Sequence, residues 1–192
     1  FFTAIVVWLA LLWSEKAEEQ GNERYILIIS YMIGLATGLH LLNLLTIPFV
    51  ALLIYFRKFK FEWTSFGILV ALTGLVFFII HNVIIKGMPK IADAIGVSLT
   101  GLLIVAIFAG MVWAILNHKQ LMSIVLTSMV LILIGYSTYA LIFIRSNQDP
   151  GIDENDPETV EAFISYLERE QYGDVGMFPR RFKGIKPMHE VV

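Results

Sequence analysis

The sequence predicts an all-α, polytopic transmembrane helix bundle of about six membrane passes, the first truncated, with a short extracytoplasmic tail that holds one amphipathic helix. Three observations lead there. Of the 192 residues 57% are hydrophobic and only 16% charged, and the mean hydropathy of +0.74 lies far above that of a water-soluble domain. The apolar residues fall in long runs broken by short polar links. The charge is unevenly divided: residues 1–145 carry nine Lys/Arg against six Asp/Glu, and residues 146–192 carry five against ten. The chain therefore divides into a transmembrane helical region, 1–145, and an acidic tail, 146–192. A net charge of −2 with no basic face argues against nucleic acid as a partner. Absence of cysteine excludes disulfides, thiolate metal sites and a cysteine nucleophile.

The first run, Phe1 to Trp13, has neither a basic leader nor a small-residue cleavage site and is not a signal peptide. Its 13 residues reach about 20 Å, short of the ~30 Å hydrocarbon layer, so it reads as the end of a spanning helix whose start is cut away. After the polar stretch 14–24, the run Tyr25–Phe56 is 32 residues long, too long for one crossing. Gly38, His40, Asn43, Thr46 and Pro48 cluster near its middle, and Pro removes a backbone donor there. Two helices are expected, about 25–42 and 45–58. Three further passes follow at 63–85, 94–116 and 121–144, separated by polar links at 57–62, 86–93 and 117–120. Gly34 and Gly38 form a GxxxG pair that permits close helix contact.

Orientation follows from the basic residues. With six passes, the links at 14–24, 57–62 and 117–120 share one side and hold Lys16, Arg24, Arg57, Lys58, Lys60 and Lys119, whereas the opposite links hold Lys86 and Lys90. That bias places the first set in the cytoplasm and the C-terminal tail outside it. Were 25–58 a single tilted helix, the same residues would divide four against four. Trp13, Tyr55 and Trp63 are then expected at the inner interface as part of an aromatic belt.

In the tail, Asp156-Pro157-Glu158 supplies a helix N-cap, a first-position proline and an acid in the first turn. Val160, Phe163, Ile164 and Leu167 then recur at helical spacing, predicting one amphipathic helix over about 157–171 whose apolar stripe docks on the outer ends of the membrane helices or on the remaining part of the polypeptide. The preceding acidic loop, with Asp149, Asp153, Glu154 and Asp156, reads as a turn-rich connector in preference to a cation site, since the spacing of a calcium loop is missing. No phosphate loop, HExxH or nucleophile elbow is present.

Chemistry is expected from polar groups inside apolar runs. His40 and Asn43 close the second pass, His81 and Asn82 lie near the end of the fourth, and Arg145 closes the sixth, so all five fall on the outer side. Such groups at membrane depth face a cavity or a partner. The plainer alternative is that the His and Asn residues make interhelical hydrogen bonds while Arg145 reaches back to the interface.

Two stretches carry a resemblance. Trp13-Ser-Glu-Lys-Ala-Glu-Glu-Gln-Gly-Asn-Glu-Arg24 leads into Gly34-Leu-Ala-Thr-Gly-Leu-His40-Leu-Leu-Asn43-Leu-Leu-Thr-Ile-Pro48. Gly135-Tyr-Ser-Thr-Tyr139 runs to Arg145-Ser-Asn, Asp153-Glu-Asn-Asp-Pro157 and Ser165-Tyr-Leu-Glu-Arg-Glu-Gln-Tyr-Gly-Asp174. Together they resemble a family of Bacteroidota polytopic inner-membrane proteins of formerly unknown function, similar to eukaryotic protein O-mannosyltransferases of the GT-C type. The resemblance covers most of 13–174 and marks the chain as an internal fragment. It implies a glycosyltransferase in the bacterial inner membrane, with a periplasmic tail. Such an enzyme would use a polyprenyl-phosphate sugar as donor and a protein or glycan as acceptor, with a divalent cation as an optional aid. It places the catalytic carboxylate in an acidic outer loop upstream of Phe1, in the remaining part of the same polypeptide. The donor phosphate then falls to Arg145, His40, His81, Asn43 and Asn82, with Glu154, Asp156, Arg169, Gln171 and Tyr172 as tail candidates. No metal ligands are assigned. A transporter, or a non-catalytic membrane scaffold, is the alternative; a transporter should show a repeat relating two halves, and none is visible within these residues.

Overall fold

The computed structural model describes residues 1–37, 41–153 and 156–168. Among them every regular element is helical: α1 (Phe2–Glu15), α2 (Glu23–Thr37), a 3₁₀ turn (Leu41–Leu45), α3 (Thr46–Lys58), α4 (Trp63–Phe78) continuing as a π-helical turn (Ile79–Ile85), α5 (Gly87–Ile95), α6 (Val97–Leu116), α7 (Gln120–Tyr136), α8 (Tyr139–Ser146) and α9 (Val160–Glu168). Three helical stretches are long and apolar enough to cross a membrane: Trp63–Ile85, Ser98–Leu116 and Gln120–Ser146. The helices α1, α2 and α3, of 14, 15 and 13 residues, are shorter.

The predicted break in the long second run is present. Helix α2 is described as far as Thr37, the expected end at 42 is replaced by the 3₁₀ turn, and α3 starts at Thr46, which puts Pro48 in the first turn, where its missing N–H costs no helical bond. Residues 57–62 and 117–120 behave as links, but 86–93 does not. It is most of α5, because Met88, Ile91, Ala92 and Ile95 recur at i, i+3, i+4 and i+7 and outweigh the charges of Lys90 and Asp93. Gly96, at φ +83°, ends α5 and opens α6, so the expected pass 94–116 begins only at Val97. The last pass is interrupted at 137–138, where Ser137 Oγ and Thr138 Oγ1 donate to the carbonyls of Ile134 (2.7 Å) and Gly135 (2.8 Å).

Helices α2 and α7 are the tightest pair. A Cβ on Gly135 would fall 2.5 Å from Leu35 N and 2.7 Å from Tyr31 O, and one on Gly34 would meet the backbone of Ile132, with its Cα at 2.8 Å. Gly34 thus does the packing expected of it, but its counterpart is Gly135 on α7; Gly38 lies outside the described residues. Around this seam the core gathers Val6, Leu9 and Ala10 of α1, Ile29 and Ile33 of α2, Ile47 of α3, and Ile80, Ile84 and Ile85 of the π turn.

Side-chain contacts sort the links into two ends. At one, Arg57 Nε donates to Ser14 O (3.0 Å), Arg57 pairs with Glu18 (3.7 Å), Lys58 lies over the Trp13 ring (5.6 Å) and Gln120 Nε2 donates to Glu23 (2.8 Å), which joins 14–24, 57–62 and 117–120 as expected. This is the basic end. Trp13 and Tyr55 do not form an outward belt there: they are 2% and 3% exposed, and only Trp63, at 79%, faces outward. Trp13 is roofed by Lys58, and Tyr55 is drawn inward by the backbone of the α3–α4 turn. The opposite, broken end holds the 3₁₀ turn, the π turn, α5, α8 and α9.

Candidate functional site

The broken end is where chain geometry departs from regular α-helix, and its groups are held by hydrogen bonds between elements. Tyr136 Oη donates to Ile85 O in the π turn (2.8 Å) and Tyr139 Oη donates to Thr37 O at the end of α2 (2.7 Å). Their rings lie 5.2 Å apart, and both side chains are buried. A tyrosine buried in apolar surroundings needs a partner for its hydroxyl, and each takes a carbonyl near a helix end. These two residues weld α2, the π turn and α7–α8 together. Periodicity and composition alone assign Tyr136 and Tyr139 no role; the signal in the sequence is two tyrosines three positions apart in an otherwise apolar pass.

Asn43, in the 3₁₀ turn, is 3% exposed. Its Oδ1 accepts from Thr3 Oγ1 (3.0 Å), and its carbonyl accepts from Thr46 Oγ1 (2.6 Å), whereas its buried Nδ2 has no hydrogen-bond partner among the described residues. An unsatisfied buried amide donor is costly and suits an incoming acceptor such as a phosphate or carbonyl oxygen. His81 lies half-buried in the π turn, its ring stacked on Phe77 at 6.0 Å. The i→i+5 pattern there is explicit, with Lys86 N donating to His81 O at 3.2 Å. Asn82 is exposed and donates back to Phe78 O (3.3 Å). Arg145 is exposed in the last turn of α8. No hydrogen bond or ion pair joins Asn43, His81, Asn82 and Arg145 to one another. They share an end of the bundle without forming a closed cluster. His40, Glu154, Arg169, Gln171 and Tyr172 lie outside the described residues.

Next to Arg145, Ser146 is fully buried and donates to Asp153 Oδ2 (2.5 Å), which ties the acidic loop to the end of α8. Asp156, at φ +47°, is exposed and does not cap the tail helix. Helix α9 begins later than expected, at Val160, because Thr159 Oγ1 accepts the Ala162 N–H (3.1 Å) and makes Thr159 the cap; Pro157 is buried ahead of it. The helix packs through Phe163, whose ring meets Tyr139 (6.5 Å) and Phe143 (5.8 Å), and through Tyr166, whereas Val160 stays 39% exposed. Carboxylates crowd the loop, and the Glu158 carboxyl is held above its ordinary range first by Asp156 and further by Asp149 and Asp153. Among the described residues no group of three or more His or acidic side chains converges to hold a metal ion.

No curated protein and no solved structure matches this chain. Residues 1–63, about a third of its length, match the model of a family described as the protein O-mannosyl-transferase TMEM260 N-terminal domain. That stretch contains Asn43, its partner Thr3 and the broken second run. At this coarse level the chain is similar to part of a protein O-mannosyltransferase, which fits a glycosyltransferase-like role in a membrane.

Proposed function

We propose that this chain is part of a GT-C-like membrane glycosyltransferase that moves a sugar from a polyprenyl-phosphate donor to a hydroxyl of a protein or glycan at the broken end of the bundle. The match of residues 1–63 to an O-mannosyl-transferase domain carries the reading. In such a transfer the acceptor oxygen bonds to the anomeric carbon as the bond to the phosphate oxygen breaks. The acceptor proton passes to a carboxylate, and the phosphate departs on its lipid. Donors and cations around the phosphate stabilise the charge it gains. Arg145 has the strongest claim to that role, because a guanidinium stays charged and grips phosphate through two parallel hydrogen bonds. Asn43 Nδ2 offers a donor already stripped of water. His81 and His40 are assigned to orienting the donor, with Asn82 and, from the tail, Asp156 as further candidates. The meeting of three basic links at one end supports the six-pass reading, in which that end is cytoplasmic and the tail lies in the periplasm of a bacterial inner membrane.

Two measurements test the reading. Cysteines at Gln148 and Lys60, both exposed, should label from opposite sides of intact spheroplasts, Gln148 from outside. Labelling of Gln148 only after membranes are opened overturns the sidedness. In the full-length protein, Arg145→Ala should weaken binding of polyprenyl phosphate roughly tenfold or more, as expected for a charge-assisted contact, with little change in melting temperature. Arg145→Lys should recover part of it. Unchanged affinity in Arg145→Ala removes Arg145 from the site.

A further inference from the structure

The turn from α3 to α4 reads Phe56-Arg57-Lys58-Phe59-Lys60-Phe61-Glu62-Trp63, with aromatic and basic residues interleaved. Four of its rings are exposed, Phe56 by 58%, Phe59 by 61%, Phe61 by 50% and Trp63 by 79%. Rings in such density are a liability in water and at home in a headgroup layer. The turn is also fixed. The buried Tyr55 hydroxyl lies 2.6 Å from Ser65 Oγ and accepts the Glu62 N–H at 3.2 Å, while Phe61 stacks on Phe56 (6.5 Å) and meets Trp63 edge-on (5.1 Å). Within the turn itself three cations stand against one acid, Glu62. Arg57 is engaged by Ser14 and Glu18, Lys58 lies over Trp13, and the Lys60 ammonium is exposed with no ion pair among the described residues.

Above this turn an apolar cleft of about 530 Å³ runs between α2, α3, α4 and α7. Its walls include Val50 and Ile54 of α3 and Leu69 and Leu72 of α4. Ile54 adjoins Tyr55 and Leu69 stands one turn beyond Ser65, so the cleft starts about one turn from the basic and aromatic residues.

We propose that the turn and the cleft together bind an anionic phospholipid. Lys58 and Lys60 pair with its phosphodiester, the exposed rings sit among neighbouring headgroups, and one acyl chain lies in the cleft. Charge complementarity selects this occupant, since a zwitterionic lipid would fill the cleft equally but brings no net charge to the lysines. The site is at the opposite end of the bundle from the donor-phosphate residues and does not rest on the sugar-transfer reading.

The test uses the purified full-length protein in phosphatidylcholine vesicles doped with spin-labelled phosphatidylglycerol or phosphatidylcholine. Wild type should retain phosphatidylglycerol about fivefold over phosphatidylcholine at low salt, with the ratio falling towards one at high salt. Lys58→Gln with Lys60→Gln should bring it near one at any salt, and Ile54→Trp should reduce retention of both lipids without changing the ratio. Should Ile54→Trp fail to fold, Leu69→Trp narrows the same cleft from α4. No preference in wild type, an undiminished preference in the double lysine variant, or full retention after the cleft is narrowed overturns the proposal. So does displacement of phosphatidylglycerol by an equal mole fraction of polyprenyl phosphate, which would give the turn to the donor lipid.

Discussion

Helices α2 and α4 occupy opposite situations, and the more apolar of the two, α4, is the less buried. The first buries Ile29, Ser30, Ile33, Gly34, Ala36 and Thr37 along one stripe and presses its backbone onto α7, whereas α4 buries no residue. The difference lies in glycine placement. Gly34 meets the α7 backbone, whereas a Cβ on Gly74 of α4 would meet nothing within 4 Å. In a membrane, lipid tails solvate Leu and Ile as well as another helix does, so close association depends on small residues and satisfied polar groups more than on hydrophobicity. Ser30 and Thr37 fit this rule, each bonding to its own helix, at Ile26 O (2.9 Å) and Gly34 O (2.6 Å). Helix α4 is apolar all round, as a lipid-facing span is.

The sharpest way to break that comparison is to add a side chain to both helices. Gly34→Val and Gly135→Val should each destabilise the protein by about 1–3 kcal/mol or more, because the obstacle is backbone that cannot rotate away. Gly74→Val should stay within about 0.5 kcal/mol of wild type. Reversible unfolding in mixed micelles reads all three; equal losses at Gly34 and Gly74 would mean that helix propensity, not packing, sets the cost.

A smaller effect is expected where the α2–α7 pair is closed by hydrogen bonds. Tyr136→Phe and Tyr139→Phe keep the rings and remove the donors to Ile85 and Thr37, for a loss of about 0.6–1.7 kcal/mol each. Amide exchange should quicken near Thr37 in Tyr139→Phe and near Ile85 in Tyr136→Phe. Exchange that rises uniformly would show that the tyrosines act by bulk alone.

The smallest effect concerns pH in the acidic loop. Since the folded-state pKa of Glu158 is raised, folded protein binds more protons than unfolded between the ordinary and the raised value. The loop is therefore favoured below the ordinary carboxylate range and weakened as pH rises through that interval. Asp156→Asn removes the leading cause and should lower the Glu158 midpoint in a carboxyl-resolved NMR titration, with the difference shrinking in salt. An unmoved midpoint would shift the cause to Asp149 and Asp153.

Much of the architecture is legible in one dimension because it depends on local periodicity and composition. The spans 63–85 and 121–144, the break before Pro48 and the gathering of Lys16, Arg57 and Lys119 links at one end all follow from apolar run length and charge placement. The segment 86–93 was harder, because Lys90 and Asp93 mark a link when counted by charge, while the helical period of Met88, Ile91, Ala92 and Ile95 decides otherwise. Likewise the sequence points to Asp156 as the cap of the tail helix, and the bond from Ala162 gives that role to Thr159 instead.

What the sequence by itself determined is an all-helical chain with apolar runs long enough to cross a membrane, and with Asn43, His81, Asn82 and Arg145 placed towards one end of those runs. Only the tertiary structure decided which of these groups are buried, that Asn43 meets Thr3 across forty residues, and that Tyr136 and Tyr139 hold the end together. The physical reason is that periodicity reports which face of a helix is apolar, but a hydrogen bond needs two groups within about 3 Å, and that distance is set by how closely backbones such as those at Gly34 and Gly135 approach.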